Sequence, residues 1–233
     1  MAWYVEDVDI EQADFAEGDL SNVEAKSTDV LELISSVALD VRENSEYGTS
    51  DGQVVSQLDT SNFTVEMWLR IWGAGEPTYT NWYWSFRDVD TSDYYDNYIG
   101  LTYYPDGPQY GGYVQCEDGA YFDFWVPVYE DPRFEVWMHW AFVVDNDKKK
   151  AYFYEDGELK AEEDQEGTDF HWGFDCAIGA GFGGGNETSA DIAECRFWQK
   201  AKTQQEIQDQ MNMRLNGDET DLLAYFPCDE GSG

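Results

Sequence analysis

Asp88, Asp90, Asp93, Asp96 and Asn97 place five carboxylate or amide side chains within ten residues. Oxygen donors crowded on a loop suit a hard cation, and calcium takes about six to eight of them. Asp88, Asp90 and Ser92 open like an EF-hand loop. The sixth residue is Asp93 where that loop needs glycine, and the twelfth is Ile99 where it needs glutamate. The segment is therefore no EF-hand. Asp88, Asp90, Asp93 and Asp96 are the candidate calcium ligands, although composition alone also produces such clusters in a chain this acidic. Asp145-Asn146-Asp147 is explained by turn chemistry and is assigned no site.

Aromatic residues flank the same loop. Trp82, Tyr83 and Trp84 precede it, and Tyr94, Tyr95 and Tyr98 lie within or just after it. Sugar rings carry apolar C–H faces that pack on aromatic faces, while their hydroxyls need carboxylate and amide partners. Trp82, Trp84, Tyr94, Tyr95 and Tyr98 are the candidate saccharide contacts, with Asn186 beside the Gly183-Gly184-Gly185 run as an amide partner. The opposing reading is that many of these rings fill a core, as aromatics do in β-sandwiches.

Catalytic arrangements are sparse. Asp7-Val8-Asp9-Ile10-Glu11 alternates three carboxylates, which a strand would put on one face. Glycosidases need two carboxyls at a defined separation, but this stretch lies at the extreme N-terminus. With only His139 and His171, no serine or cysteine nucleophile has an evident base. Cys116, Cys176, Cys195 and Cys228 are too dispersed for a zinc site and can be either disulfides or buried thiols. The expectation is a protein that is not an enzyme.

Charge narrows the partners. The 233 residues carry 13 basic and 49 acidic side chains, a net charge of −36. Such a surface repels phosphate backbones and anionic membranes, so neither nucleic acid nor membrane insertion is expected. At 42% hydrophobic and 17% aromatic, the composition supplies a packed core. The N-terminus has no basic or apolar stretch of a signal peptide.

The elements that must position these residues are mostly strands. Phe63, Val65, Met67, Leu69 and Ile71 alternate with Thr64, Glu66, Trp68 and Arg70, a clear period of two. Further strands read at 37–41, 53–55, 82–86, 98–104, 112–116, 121–126, 137–144, 150–154, 175–179, 192–198 and 222–226. Asp156-Gly157 between two of them predicts a hairpin. Trp68, Trp137, Trp140 and Trp198 are expected in the core. One helix is predicted: Thr203 and Glu206 have capping-box spacing, Ile207 and Met211 continue it, and Gly217 stops it. The fold class is all-β, an antiparallel two-sheet sandwich with one short C-terminal helix.

The ordered phrases Phe63-Thr64-Val65-Glu66-Met67-Trp68-Leu69, Trp137–Asp145, Ala151–Glu158 and Ala190–Trp198, closed by Leu222–Gly231, resemble the concanavalin A-like lectin/glucanase superfamily. Within it they are similar to laminin-G-like and pentraxin-like jelly-roll domains. The resemblance covers roughly 36–233 and leaves 1–35 as an acidic extension or docking arm. It implies a non-catalytic carbohydrate- or glycoconjugate-binding module, calcium-assisted, on an extracellular, virion or cell surface, with a glycan or glycosylated protein as partner. The rival expectation is a structural decoration or adhesion protein of a virion, filament or cell envelope, partnered by neighbouring subunits. A glycoside hydrolase ranks below both.

Overall fold

The computed structural model describes side chains for residues 62–71, 135–164, 178 and 190–228; strands at 39–40, 48–50, 81–88, 98–104, 109–115, 121–127 and 174–177 are described by their backbone. Among the described residues thirteen strands run β1 Leu39–Asp40, β2 Gly48–Ser50, β3 Asn62–Ile71, β4 Asn81–Asp88, β5 Tyr98–Tyr104, β6 Gln109–Gln115, β7 Tyr121–Pro127, β8 Trp137–Asp145, β9 Lys150–Glu155, β10 Glu158–Asp164, β11 Phe174–Ile178, β12 Ala190–Trp198 and β13 Leu222–Phe226. Helix α1, Gln204–Gln210, lies between the last two. The strands form two antiparallel sheets of a jelly-roll. Sheet A has the order β1-β12-β3-β8-β9-β10, with β13 also on β12; sheet B has the order β2-β11-β4-β5-β6-β7. Edge strands β7 and β10 approach one another between the sheets.

The period-two pattern of β3 decides the layering. Phe63, Val65, Met67, Leu69 and Ile71 are buried together with Met138, Trp140, Phe142 and Val144 of β8, Phe153 of β9 and Ile192 of β12. Register pairs such as Val65↔Phe142 and Leu69↔Ile192 place them on one inner face. The rings of Phe63 and Phe142 lie 6.1 Å apart, and Trp140 meets Phe153 edge-on at 5.4 Å. Such contacts build most of the burial energy, about 1.5–3 kcal/mol for each large side chain.

The second face of β3 is buried too, although its residues alternate as a solvent face would. Thr64, Glu66 and Trp68 are almost wholly inaccessible. The cause is α1 and the chain around it, which lie across the outer face of sheet A. Ile207 packs against Ala141, Val143 and Tyr154. Thr203 caps α1 with the reciprocal box that its spacing predicts: its hydroxyl accepts from Glu206 N, and Glu206 accepts from Thr203 N. The helix then ends at Gln210, well short of Gly217. Sheet donors end it, because Arg196 donates to Gln210 O and Met213 O and Trp68 Nε1 donates to Met211 O. These satisfy carbonyls that a longer helix would have bonded internally.

Two strands are absent from the sequence reading. β2 is short, and β10 is polar and exposed along nearly its whole length. An edge strand bearing Glu158, Lys160, Glu162, Glu163 and Asp164 has no apolar alternation to detect, and its charges discourage pairing with another chain. The hairpin that launches β10 is as expected. Asp156 and Gly157 both have positive φ, 50° and 74°, the geometry of a two-residue type I′ turn. The Asp156 carboxylate also accepts from His139 N at 2.9 Å, tying the turn to β8.

Candidate binding face

Sheet B carries the aromatic-rich strands, and its register sorts their residues into two sets. One set contains Ile178, which is buried, and aligns with it Trp84, Leu101, Gly112 and Phe124 across β4, β5, β6 and β7. Phe86, Ile99, Val114 and Phe122 form the next row of that set. This apolar set shares its register rows with buried Ile178. The other set holds Thr102, Gly111 and Trp125 in one row and Gly100, Tyr113 and Asp123 in another. Tyr98, Gln115 and Tyr121 align in a third. A register shift between Trp82 and Trp84 brings Trp82 opposite Thr102 and so onto this second face.

Of the predicted saccharide contacts, Trp82 and Tyr98 therefore fall in the second set, and Trp84 occupies the row of Ile178. Tyr94, Tyr95 and Asn186 lie outside the described residues. Among the predicted calcium ligands, Asp88 is the last residue of β4, opposite Phe174 of β11. Asp90, Asp93 and Asp96 lie outside the described residues, as does Asp7–Glu11. Among the described residues no group of three or more histidine, cysteine, aspartate or glutamate side chains is arranged to hold a metal. Sequence reasoning missed Tyr113, Tyr121, Asp123 and Trp125. The alternation of Tyr121, Asp123 and Trp125 with Phe122 and Phe124 was visible, but only the pairing of β5, β6 and β7 puts all four in one set with Tyr98 and Trp82.

The opposite end of the sandwich, the outer face of sheet A, holds the charged residues that could have been catalytic. Glu66 has no exposed surface. Its Oε1 accepts from Lys202 Nζ and from Trp198 Nε1, both at 2.7 Å, while Arg196 stands 3.9 Å away. Arg196 also donates to Glu194 Oε2 at 2.8 Å, and Tyr225 OH donates to the same carboxylate. His139 Nε2 is 3.6 Å from Glu66 Oε2. Burial alone would raise the Glu66 carboxyl, but the Lys202 and Arg196 cations hold it below its usual range. Burial pushes His139 down to about 4, against the pull of Glu66, so the ring is neutral at pH 7. Burial likewise lowers the Lys202 ammonium, with Glu66 opposing.

A carboxylate, a histidine and a second carboxylate invite comparison with an acid–base site. Their accessibility excludes it: Glu66, His139 and Arg196 expose essentially no surface, and helix α1 with its flanks lies over them. The cluster binds sheet A to its covering segment. Trp68, Trp140 and Trp198 are buried, as expected of core residues, and Trp137 is half-buried with the Arg70 guanidinium 5.1 Å from its ring. Asp191 pairs with Arg70 at the same end of the sheet.

Residues 43–208 match a laminin-G family profile described as concanavalin A-like lectin/glucanases superfamily. The chain belongs to this superfamily. No match was found among curated proteins. Solved structures share the fold at low identity. NanB sialidase from Streptococcus pneumoniae matches with TM-score 0.58 and 18% identity, over 74% of this chain and 27% of that one. A candidate carbohydrate binding protein from Bacteroides ovatus matches with TM-score 0.53 and 19% identity, over 79% of this chain and 49% of that one. The binding domain of botulinum neurotoxin serotype G matches with TM-score 0.52 and 13% identity, over 70% and 39%. The chain thus spans between about a quarter and a half of those structures.

Proposed function

We propose that this chain is a non-catalytic carbohydrate-binding module whose recognition surface is the outer face of sheet B. The observation that carries the reading is the register of β4 to β7. It puts Trp82, Tyr98, Tyr113, Tyr121 and Trp125 on one face, interspersed with Thr102, Gln115 and Asp123 and with Gly100 and Gly111. Aromatic residues offer stacking to the apolar side of a sugar ring, and amide and carboxylate groups complement its hydroxyls. Glycines in the rows leave room between the aromatics. Membership of a superfamily of lectins and glucanases supports the reading, as does the likeness to a candidate carbohydrate binding protein. The net charge of −36 favours neutral over acidic glycans.

Calcium assists in this reading, held by Asp88 at the end of β4 together with Asp90, Asp93 and Asp96. The test is a glycan array with the purified chain in calcium and again in chelator, followed by Trp125→Ala and Tyr113→Ala. Binding that falls in both variants, with unchanged melting, supports the face. Loss in chelator, repeated in Asp90→Asn, supports the calcium role, whereas binding indifferent to chelator removes calcium from it. A blank array in both buffers overturns the glycan reading for the sugars displayed.

A further inference from the structure

Helix α1 depends on what it touches. Seven residues fall far below the about 12–15 that an isolated helix needs in water. Ile207 anchors it among Ala141, Val143 and Tyr154, and Gln204 and Gln208 both donate to Gly157 O at 2.8 Å. The remaining ties run through buried charge. Lys202, one residue before the N-cap, reaches Glu66; Arg196 donates to Gln210 O and Met213 O.

That cluster balances only while His139 is neutral. Glu66 and Glu194 are matched by Arg196 and Lys202. Glu66 Oε2 and both ring nitrogens of His139 have no hydrogen-bond partner among the described residues. A proton arriving on either group leaves one surplus positive charge next to Arg196 and Lys202. A surplus buried charge is costly even with Glu66 Oε2 3.6 Å from His139 Nε2, and hydration is its cheapest relief. Water reaches the cluster if the segment carrying Lys202 and α1 lifts away. The strands are held instead by their ladders and by the inner apolar face, which the proton does not touch.

We propose that Glu66, His139, Lys202 and Arg196 form an acid-sensitive latch, in which protonation releases α1 and its flanks from sheet A while the β-sandwich remains folded. Release would expose Trp68, Tyr154 and Trp198. Every element around the cluster contributes a charged or titratable group: Glu66 from β3, His139 from β8, Glu194 and Arg196 from β12, Tyr225 from β13, Asp156 from the β9–β10 turn, Lys202 and Lys200 before α1, Glu206 within it and Arg214 after it. The sign follows from His139. It takes a proton near 6.5 when free and only near 4 when buried, so the docked state loses stability as pH falls through that interval and is unaffected above it. Over the same interval the surface carboxylates begin to neutralise, which relaxes the self-repulsion of the whole sandwich. The latch and the sandwich therefore respond to acid in opposite directions.

Hydrogen exchange of the whole chain, read by peptide and corrected for the intrinsic pH dependence, tests this. Between neutral pH and pH 4, peptides covering 199–215 are expected to lose protection by about tenfold or more, the consequence of a pKa difference of one unit or more. Peptides covering β3 and β8 stay protected. In His139→Gln the loss shrinks or disappears, whereas in Glu206→Gln, which alters only the capping box and its Lys200 pair, it persists. The proposal is overturned if 199–215 is equally protected at both pH values, if β3 and β8 open at the same pH as the helix, or if His139→Gln keeps the wild-type profile. Should that variant fail to fold, the order of opening in the wild-type chain still decides.

Discussion

A carboxylate with no exposed surface persists in a protein only where cations and N–H donors surround it, and Glu66 meets Lys202, Arg196 and Trp198 Nε1 in that role. Truncating it leaves the buried Lys202 ammonium without its carboxylate, while Arg196 keeps Glu194. Glu66→Ala is expected to lower unfolding free energy by about 3–5 kcal/mol, read as a reduced urea midpoint. Tyr225 gives a second test at this scale. Burial raises its phenol above the usual range, reinforced by the Glu194 carboxylate to which it donates. The unfolded chain releases that proton near 10, and the folded chain holds it longer. The native contribution is complete below about pH 10 and declines as pH rises beyond it. Melting temperature should fall more steeply above that pH in the wild-type chain than in Tyr225→Phe; equal slopes would remove Tyr225 from the alkaline limb.

At the scale of elements, α1 is a short helix made stable by its cap and by its seat. Thr203→Ala removes the hydroxyl that accepts from Glu206 N and should cost about 1 kcal/mol of stability, measured by denaturant titration. Its start was legible because capping is local chemistry, written in Thr203 and Glu206. Its end was not, because Arg196 and Trp68 reach its last carbonyls from strands distant in the chain. The same contrast separates β3 from β10. A ten-residue run of apolar alternation announces the first. The second is seven mostly charged residues that become a strand by pairing with β9.

Across the whole molecule, a net charge of −36 on 233 residues sets a repulsive field that the fold must withstand. Screening weakens it over a Debye length of about 8 Å at physiological ionic strength. Melting temperature should therefore rise as sodium chloride is added from low ionic strength, and a flat or falling trend would show that local ion pairs such as Lys150 with Glu162 and Asp164 outweigh the field. Molecular scale also explains the two outer faces. Sheet A is closed by α1 and its buried charges. Sheet B sets aromatic and polar residues of four strands in adjacent rows, and the proposed recognition surface rests on that.

By itself the sequence determined the fold class, the superfamily, most strand positions and the capped start of the helix, since each rests on local periodicity or on ordered phrases. Tertiary structure decided what those residues do. Alternation cannot distinguish a face turned to water from one covered by a distant segment, so Glu66, His139 and Arg196 read as ordinary until α1 closes over them. Nor can it reveal that a shifted register sets Trp82 beside Thr102 and Trp84 beside buried Ile178. Register is fixed by pairing between strands far apart in the chain, and one residue of slip moves a side chain to the other face.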